Sequence, residues 1–473
     1  MGFTAETFLF IFMPLSIIAF LFVSHFKRDT ATNIYLVAVS LFFYWWADKD
    51  TFLFFIILII AAFLMGHLIE AAGEDNKKRK QALAFSAVAA VIVLAYFKYF
   101  GAVVTWLNDT AKAGIKIDDI IVPVGISFVI FEAISYFIDI YRGDAKAGSL
   151  LETALFLTLY PKLVSGPIVQ WKHFSPQVKG REVSLDKIRS GVDRIIIGYV
   201  KKAVIADTLG LVVSRINELS GGGMTSAVYW FEALVYMFEI YYDFAGYSDI
   251  AIGLCRIFGF DVRENFNFPY TSTSIGEFWR RWHISLGTFF REYIYIPLGG
   301  NRKGNVYFHL FVVFLLTGIW HGADLAYVIW GLIHGAVIIL ERLVRDKAWY
   351  KKCPAVLKWA FTMTVVGLGW IFFLCGNMEN VGVFFTSMFT SLPAEEVNFS
   401  LLYFLSARNI FILVIAAAGA LLGRAERVRG FVLKVTETNG GAVLKSVILL
   451  TLFIIAVLFI VNSTYSPFIY FKF

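Results

Sequence analysis

Apolar residues in this chain come in blocks of about 17–25, the length that carries a helix across a ~30 Å hydrocarbon layer. From the N-terminus the candidate spans are 7–24, 31–47, 51–71, 81–105, 120–140, 150–166, 191–214, 225–245, 305–320, 325–341, 357–375, 400–422 and 445–464. In lipid every backbone donor and acceptor must be satisfied within the segment, so blocks of this length demand helix. The alternating segments of about ten residues that build a membrane β-barrel are missing. The expected fold class is therefore an all-α integral membrane protein with about 11–13 passes. Composition agrees, since of 473 residues 59% are hydrophobic and 16% charged, where a soluble domain carries about 25% charged residues.

Loop charge sets the expected orientation. Arg342, Arg345, Lys347, Lys351 and Lys352 crowd one loop, whereas 376–399 has no Lys or Arg but holds Glu379, Glu395 and Glu396. Residues 423–445 are basic again, through Arg424, Arg427, Arg429, Lys434 and Lys445. Basic loops stay cytoplasmic, so 342–352 and 423–445 read as inside and 376–399 as outside. Lys27-Arg28 and Lys77-Lys78-Arg79-Lys80 also read as inside, which puts the N-terminus outside. The net charge of +7 follows from these loops, and no nucleic-acid partner is expected. Met1–Glu6 has no basic residue, so the first block reads as a span that stays, not a signal peptide. Cys255, Cys353 and Cys375 lie far apart with no ligand spacing, so neither a disulfide framework nor a metal site is expected.

The middle of the chain is less regular. Tyr160-Pro161 and Gly166-Pro167 interrupt one apolar block, and proline breaks a helix by removing a donor and clashing with the preceding turn. Residues 259–304 are too polar to span, yet rich in Trp279, Trp282, Phe289, Phe290 and Tyr293. Residues 160–190 and 259–304 read as re-entrant or interfacial pieces. With no internal repeat and no low-complexity segment, residues 1–473 read as a single polytopic domain.

Seven histidines are present, and two stand in unusual surroundings. His321 ends one apolar block, just before another, where an ionisable group is either functional or buried against a neighbouring helix. His283 lies in Glu277 to Leu286. If that stretch is one helix, Trp279, Trp282, Leu286 and Phe289 share a face while Arg280, His283 and Gly287 share another. An interfacial amphipathic helix accounts for that pattern more readily than a reactive site does. Pro297 to Gly304 is a glycine-rich turn carrying Arg302 and Lys303, suited to a phosphate or to a basic loop. Glu232, Glu239 and Asp243 fall within about 40° on one helix face, so they must meet protein or water, not lipid. They either orient a base, pair with Arg280 or Arg281, or line a polar passage. Asp249 and Arg256, one heptad apart, form a candidate ion pair. His25, His67, His173, His309 and His334 read as structural, with His334 expected to hydrogen-bond a neighbouring helix.

Trp279 to Leu286 (WRRWHISL), Tyr293 to Arg302 (YIYIPLGGNR) and Trp320-His321-Gly322 together resemble the membrane-bound O-acyltransferase family. The similar branch is the bacterial one of alginate O-acetylation and teichoic acid D-alanylation. Pro123 to Phe128, Ser135 to Gly143, Leu163 to Trp171 and Tyr242 to Asp249 extend the resemblance over roughly 90–340, leaving the C-terminal spans 357–464 matched in hydropathy alone. Several motifs in order are far more specific than one short pattern. The resemblance implies a funnel of helices open to the outside, with the family's essential histidine at His321 on its floor and its second histidine at His283. A narrow passage would reach the cytosolic side, where an acyl thioester binds. One departure is Glu132, a carboxylate within Val129 to Ala133, where the family often carries an aromatic–Gln pair.

By that resemblance His321 deprotonates an acceptor hydroxyl, a task suited to a neutral imidazole. His283 helps position the donor or polarise its carbonyl, while Arg280, Arg281, Arg302 and Lys303 pair with the donor's phosphates. No tightly bound cofactor is implied. The expected donor is acetyl-CoA, and the expected partners are the lipid bilayer, an extracytoplasmic SGNH-hydrolase-like acetyltransferase and a polysaccharide acceptor, in the inner membrane of a bacterial cell. The competing donor is a D-alanyl carrier protein serving teichoic acid. From another class, a proton-coupled transporter would also use broken helices and membrane carboxylates. Inverted repeats would mark it, and the sequence has none.

Overall fold

The structure, a computed structural model, describes residues 2–116, 120–390, 392–425, 430, 434–436 and 438–462. Arg427 and Arg429 of the basic C-terminal loop lie outside the described residues. Among those described, six helices are long and apolar enough to cross a membrane: Phe8–His25, Phe52–Ala71, Asn76–Ala111, Leu325–Val344, Ala355–Cys375 and Gly440–Asn462. Val306–His321 and Ala407–Leu422 are apolar but shorter. The chain is a helical, multi-pass membrane protein.

It divides into two compact units, one of Met1–Ile195 with Ser248–Glu264 and one of Ile196–Tyr247 with Asn265–Phe473. The first is built on α1 (Met13–His25), α2 (Asp29–Ala47), α3 (Phe52–Ala71), α4 (Asn76–Ala111), α5 (Ile126–Arg142) and α6 (Leu150–Thr158). Helices α7 (Leu185–Tyr199) and α9 (Ser226–Ile257) have residues in both. The second unit adds α8 (Asp207–Glu218), α10 (Ile275–Trp279), α11 (Ile284–Phe290), α12 (Val306–His321) and α13 (Leu325–Val344). It closes with α14 (Ala355–Cys375), α15 (Met378–Phe389), α16 (Ala407–Leu422) and α17 (Asn439–Asn462).

In the middle of the chain, two expected spans are broken. The block 150–166 stops at Thr158, turns at Leu159 and resumes only over Tyr160–Leu163. Pro161 has no N–H for the ladder, and its ring clashes with the carbonyl of the preceding turn. The Tyr160 N–H released by the break donates to Ser40 Oγ at 3.1 Å. The block 191–214 divides into α7, a π-helical turn at Val200–Ala206 and α8. That wide turn carries Lys202, buried at 2% exposure, whose ammonium meets Asp207 at 2.6 Å and Asp243 at 2.7 Å. Asp243 of the acidic stripe therefore pairs with Lys202, a partner the sequence did not nominate. Asp249 likewise pairs with Arg194 at 2.7 Å, while Arg256 takes Glu264 at 3.5 Å and Ser190 at 2.9 Å. Glu132 is ion-paired with Lys162, and its other oxygen accepts from Val169 N at 3.3 Å.

The scaffold of the second unit is the antiparallel hairpin α12–α13. Asn305 caps α12 by accepting from Tyr307 N at 2.9 Å, and Asp324 caps α13 by accepting from Ala326 N at 2.8 Å. Between them only Gly322 to Asp324 make the connection. The helices touch backbone to backbone: a Cβ on Gly318 would stand 2.6 Å from Tyr327 O, and one on Gly331 would stand 2.5 Å from Phe314 O. Small residues at such crossings let membrane helices pack by direct van der Waals contact. This approach fixes the depth and rotation of the residues that follow Gly318, including His321.

Candidate active site

His321 is the last residue of α12 and is 4% exposed. Its ring stands edge-on to Trp330 at 5.1 Å and 89° and to Phe373 at 4.9 Å and 83°, with Trp320 at 4.6 Å. Trp330 also contacts Phe373 at 4.8 Å. The imidazole thus lies in an aromatic box whose walls come from α12, α13 and α14.

His283 is 2% exposed and lies between α10 and α11. A single amphipathic helix through 279–289 is not formed. The chain leaves α10 after Trp279, and His283 takes a left-handed φ of 44° before α11 begins at Ile284. A non-glycine residue there costs about 1–2 kcal/mol, and Asn265 supplies the compensation. Its carbonyl accepts from Ile284 N at 2.9 Å, and its side-chain Oδ1 accepts from Ser285 N at 3.3 Å and Ser285 Oγ at 2.9 Å. The same Oδ1 lies 3.1 Å from His283 Nδ1.

That bond determines the tautomer. A backbone N–H can only donate, so the Asn265 atom facing Ser285 N is the oxygen, and His283 Nδ1 must be the donor. Burial pushes the ring's pKa down to about 3, so the imidazole is neutral and Nε2 carries a lone pair. Phe244 stands edge-on to the ring at 4.7 Å. Trp320 links the two histidines, its ring 6.3 Å from His283 and 4.6 Å from His321.

A cavity of about 450 Å³ is lined by residues of α10, α11, α12 and α13 and of their connections, among them His283, Leu310, Phe314 and Thr317. Along α12 it runs from Leu310 to Thr317, a rise of about 10 Å, and ends one helical turn before His321. Its charged lining consists of Arg280, Arg291 and Arg342, without a carboxylate. Arg342 donates to Asn301 Oδ1 at 3.0 Å, as does the Tyr295 hydroxyl at 2.8 Å. Glu341 on α13 accepts from Ile275 N at 2.8 Å and Gly276 N at 3.0 Å, tying the start of α10, and so Arg280, to that helix.

The other nominated cations stand differently. Arg281 bonds Glu277 at 3.0 Å and Asn267 O at 3.1 Å. Burial acts to raise the Glu277 carboxyl, but donors from Thr273 and Arg281 outweigh it and hold that group below the usual carboxylate range. Arg302 and Lys303 are exposed on the glycine-rich turn, outside the cavity lining. His309 pins that turn through Nδ1 to Gly300 O at 3.0 Å. His334 accepts from Trp279 Nε1 at 3.4 Å, the inter-helix bond expected of it. Sequence reasoning missed Asn265, Arg291 and the cavity role of Arg342. Arg342 had registered only as loop charge, and nothing in its own neighbourhood marks Asn265.

Two buried histidines, one lining an arginine-bearing cavity and one a helical turn beyond it, suit transfer of a group from an anionic carrier. Residues 41–386 match the membrane-bound O-acyltransferase family. The chain belongs to that family. It is an O-acyltransferase, not a proton-coupled transporter. Over the whole length of both chains it is 36% identical to a probable alginate O-acetylase of Pseudomonas putida. It is 30% identical to a peptidoglycan O-acetyltransferase of Helicobacter pylori over 80% of this chain and 78% of that one. A teichoic acid D-alanyltransferase of Streptococcus thermophilus is 29% identical over 50% of this chain and 59% of its own. An acyl donor is thus a substrate of the family's chemistry.

Proposed function

We propose that this O-acyltransferase moves an acetyl group from cytosolic acetyl-CoA to a hydroxyl on the outer side of a bacterial inner membrane, with His321 as general base. The observation that carries the reading is the arginine-lined cavity that reaches His283 and stops one turn short of His321. Its ~450 Å³ falls within the range of about 300–1,000 Å³ typical of small-molecule sites. Arg280, Arg291 and Arg342 are placed to take phosphates by bidentate hydrogen bonds, while Leu286, Phe290 and Phe314 face an uncharged acyl arm. Arg302 and Lys303 add positive potential nearby, and Arg281, held by Glu277, steadies α10. The basic loop beginning at Arg342 supports a cytosolic position for this cavity. Acetyl is favoured over D-alanyl because the relative matching the full length is a probable alginate O-acetylase, whereas the D-alanyltransferase matches half of this chain. The outer acceptor is a polysaccharide or an SGNH-hydrolase-like partner that hands acetyl on.

In the reaction, His321 takes the acceptor's hydroxyl proton as its oxygen attacks the thioester carbonyl. The C–O ester bond forms, the C–S bond breaks, and the proton passes to the departing thiolate. A neutral His283 with its proton on Nδ1 offers Nε2 as an acceptor only. It therefore positions the donor by receiving an amide N–H, and does not polarise the carbonyl by donating to it.

The test offers purified protein in vesicles radiolabelled acetyl-CoA or a D-alanyl-loaded carrier protein, together with polymer acceptor. Label from acetyl-CoA should appear covalently on acceptor or partner. Label arriving only from the D-alanyl carrier would overturn the donor assignment. A second prediction concerns Asn265. Asn265→Leu removes the acceptor that sets the His283 tautomer, and turnover should fall about 10–100-fold, the loss typical when the partner that orients a metal-bound histidine is removed. Asn265→Asp keeps an acceptor oxygen and should recover most of the rate; equal loss in both variants would refute the tautomer argument.

A further inference from the structure

The first unit holds a cavity of about 640 Å³ lined by His25, Lys27, Arg28 and Arg181, with the carboxylates of Asp29 and Glu182 also in its wall. None of these residues belongs to the acyl-transfer reading. Arg181 is fixed on one side and open on the other. Its Nη1 donates to Asn33 Oδ1 at 2.7 Å and to Val178 O at 3.2 Å, and its guanidinium lies over Phe260 at 4.8 Å. Its Nη2 is a buried donor with no partner among the described residues. Burial pulls this guanidinium down to about 10 in spite of Asp29 nearby, so an added anion would relieve it. Asp29 is partly spent, since its Oδ2 accepts from Gly180 N at 2.8 Å. Lys27 and Arg28 have no ion pair among the described residues. The same wall contains the start of α2, whose N-cap Arg28 makes no side-chain cap. Uncapped first-turn N–H groups and the positive end of the helix dipole both favour a bound anion.

The surroundings decide between a free anion and an amphiphile. Leu185, in the cavity wall, is 84% exposed, and Phe22 and Phe26 beside His25 are 68% and 59% exposed. Apolar side chains so exposed next to a polar pocket suit acyl chains, whereas a soluble phosphate gains nothing from them. Basic pockets on the cytoplasmic side of membrane helices hold anionic headgroups by this arrangement. We propose that the pocket binds the phosphate headgroup of an anionic phospholipid from the leaflet facing Lys27 and Arg28, with Arg181 Nη2 as its buried donor and the α2 N-terminus beside it.

The test measures lipid retained by the purified full-length protein in detergent, by native mass spectrometry, with phosphatidylglycerol or phosphatidylcholine added. Arg181→Gln also removes the bond to Asn33 and risks the fold, so the informative variant is K27N/R28Q. Asn tolerates the left-handed φ of 51° at position 27. Each cation near the headgroup plane contributes about fivefold, so the double change should weaken phosphatidylglycerol binding about 30-fold and leave phosphatidylcholine unaffected. Equal phosphatidylglycerol affinity in wild type and variant would overturn the proposal. So would displacement of the lipid by glycerol phosphate at matched concentration, which would make this a site for free phosphate esters.

Discussion

Replacement of His321 by Ala should lower acyl transfer about 10²–10⁴-fold, the range that a positioned general base supplies, while the protein still inserts in membranes. The expectation rests on location. The ring sits in a box of Trp320, Trp330 and Phe373, one turn past the end of the arginine-lined cavity, on a helix whose depth is fixed by Gly318 against Tyr327 O. Removing it leaves a void among aromatic rings, so rates must be normalised to folded protein by thermal unfolding in detergent, and His321→Asn serves as a smaller, polar control. His283→Ala makes the discriminating comparison. His283 lines the cavity directly, so its loss should raise KM for the thioester while retaining measurable turnover. The opposite pattern, with His283→Ala inactive and His321→Ala near wild type, would transfer the role of base to His283.

Much of this was legible in the sequence because hydropathy is a local signal. Block lengths anticipated α3, α12, α13 and α14 closely, and the run to Trp320-His321-Gly322 put His321 at a helix end, where it lies. The misses share one cause: the deciding partner lies far off in the chain. His283 breaks a stretch with helical periodicity because Asn265, eighteen residues earlier, holds both flanks of the bend. No window over 279–289 contains that information. Asp249 pairs with Arg194, fifty-five residues away, not with the heptad neighbour that spacing suggested. Lys202, inside the expected span 191–214, is the counter-ion of Asp243, one of three carboxylates read from another helix. Charged residues inside a membrane protein announce that a partner exists; they do not say where.

The Lys162–Glu132 pair turns that argument into a stability experiment. Both side chains are buried, at 1% and 3% exposure, with the ammonium ion-paired to the carboxylate. Lys162→Met would strand a carboxylate with only the Val169 N–H for company. Glu132→Gln would strand an ammonium whose remaining neighbours are the rings of Phe156 at 4.9 Å and Phe174 at 5.9 Å. Removing one partner of a buried pair typically costs about 3–5 kcal/mol, whereas replacing both with groups of similar volume is often neutral. Each single variant should therefore unfold at markedly lower temperature or denaturant in detergent, and E132Q/K162M should recover most of the loss. The coupling in that cycle is the informative number. Additive losses, with the double variant worse than either single one, would mean that the two residues contribute separately, and the ion pair would then not be what holds α5 to the broken segment at Tyr160–Leu163.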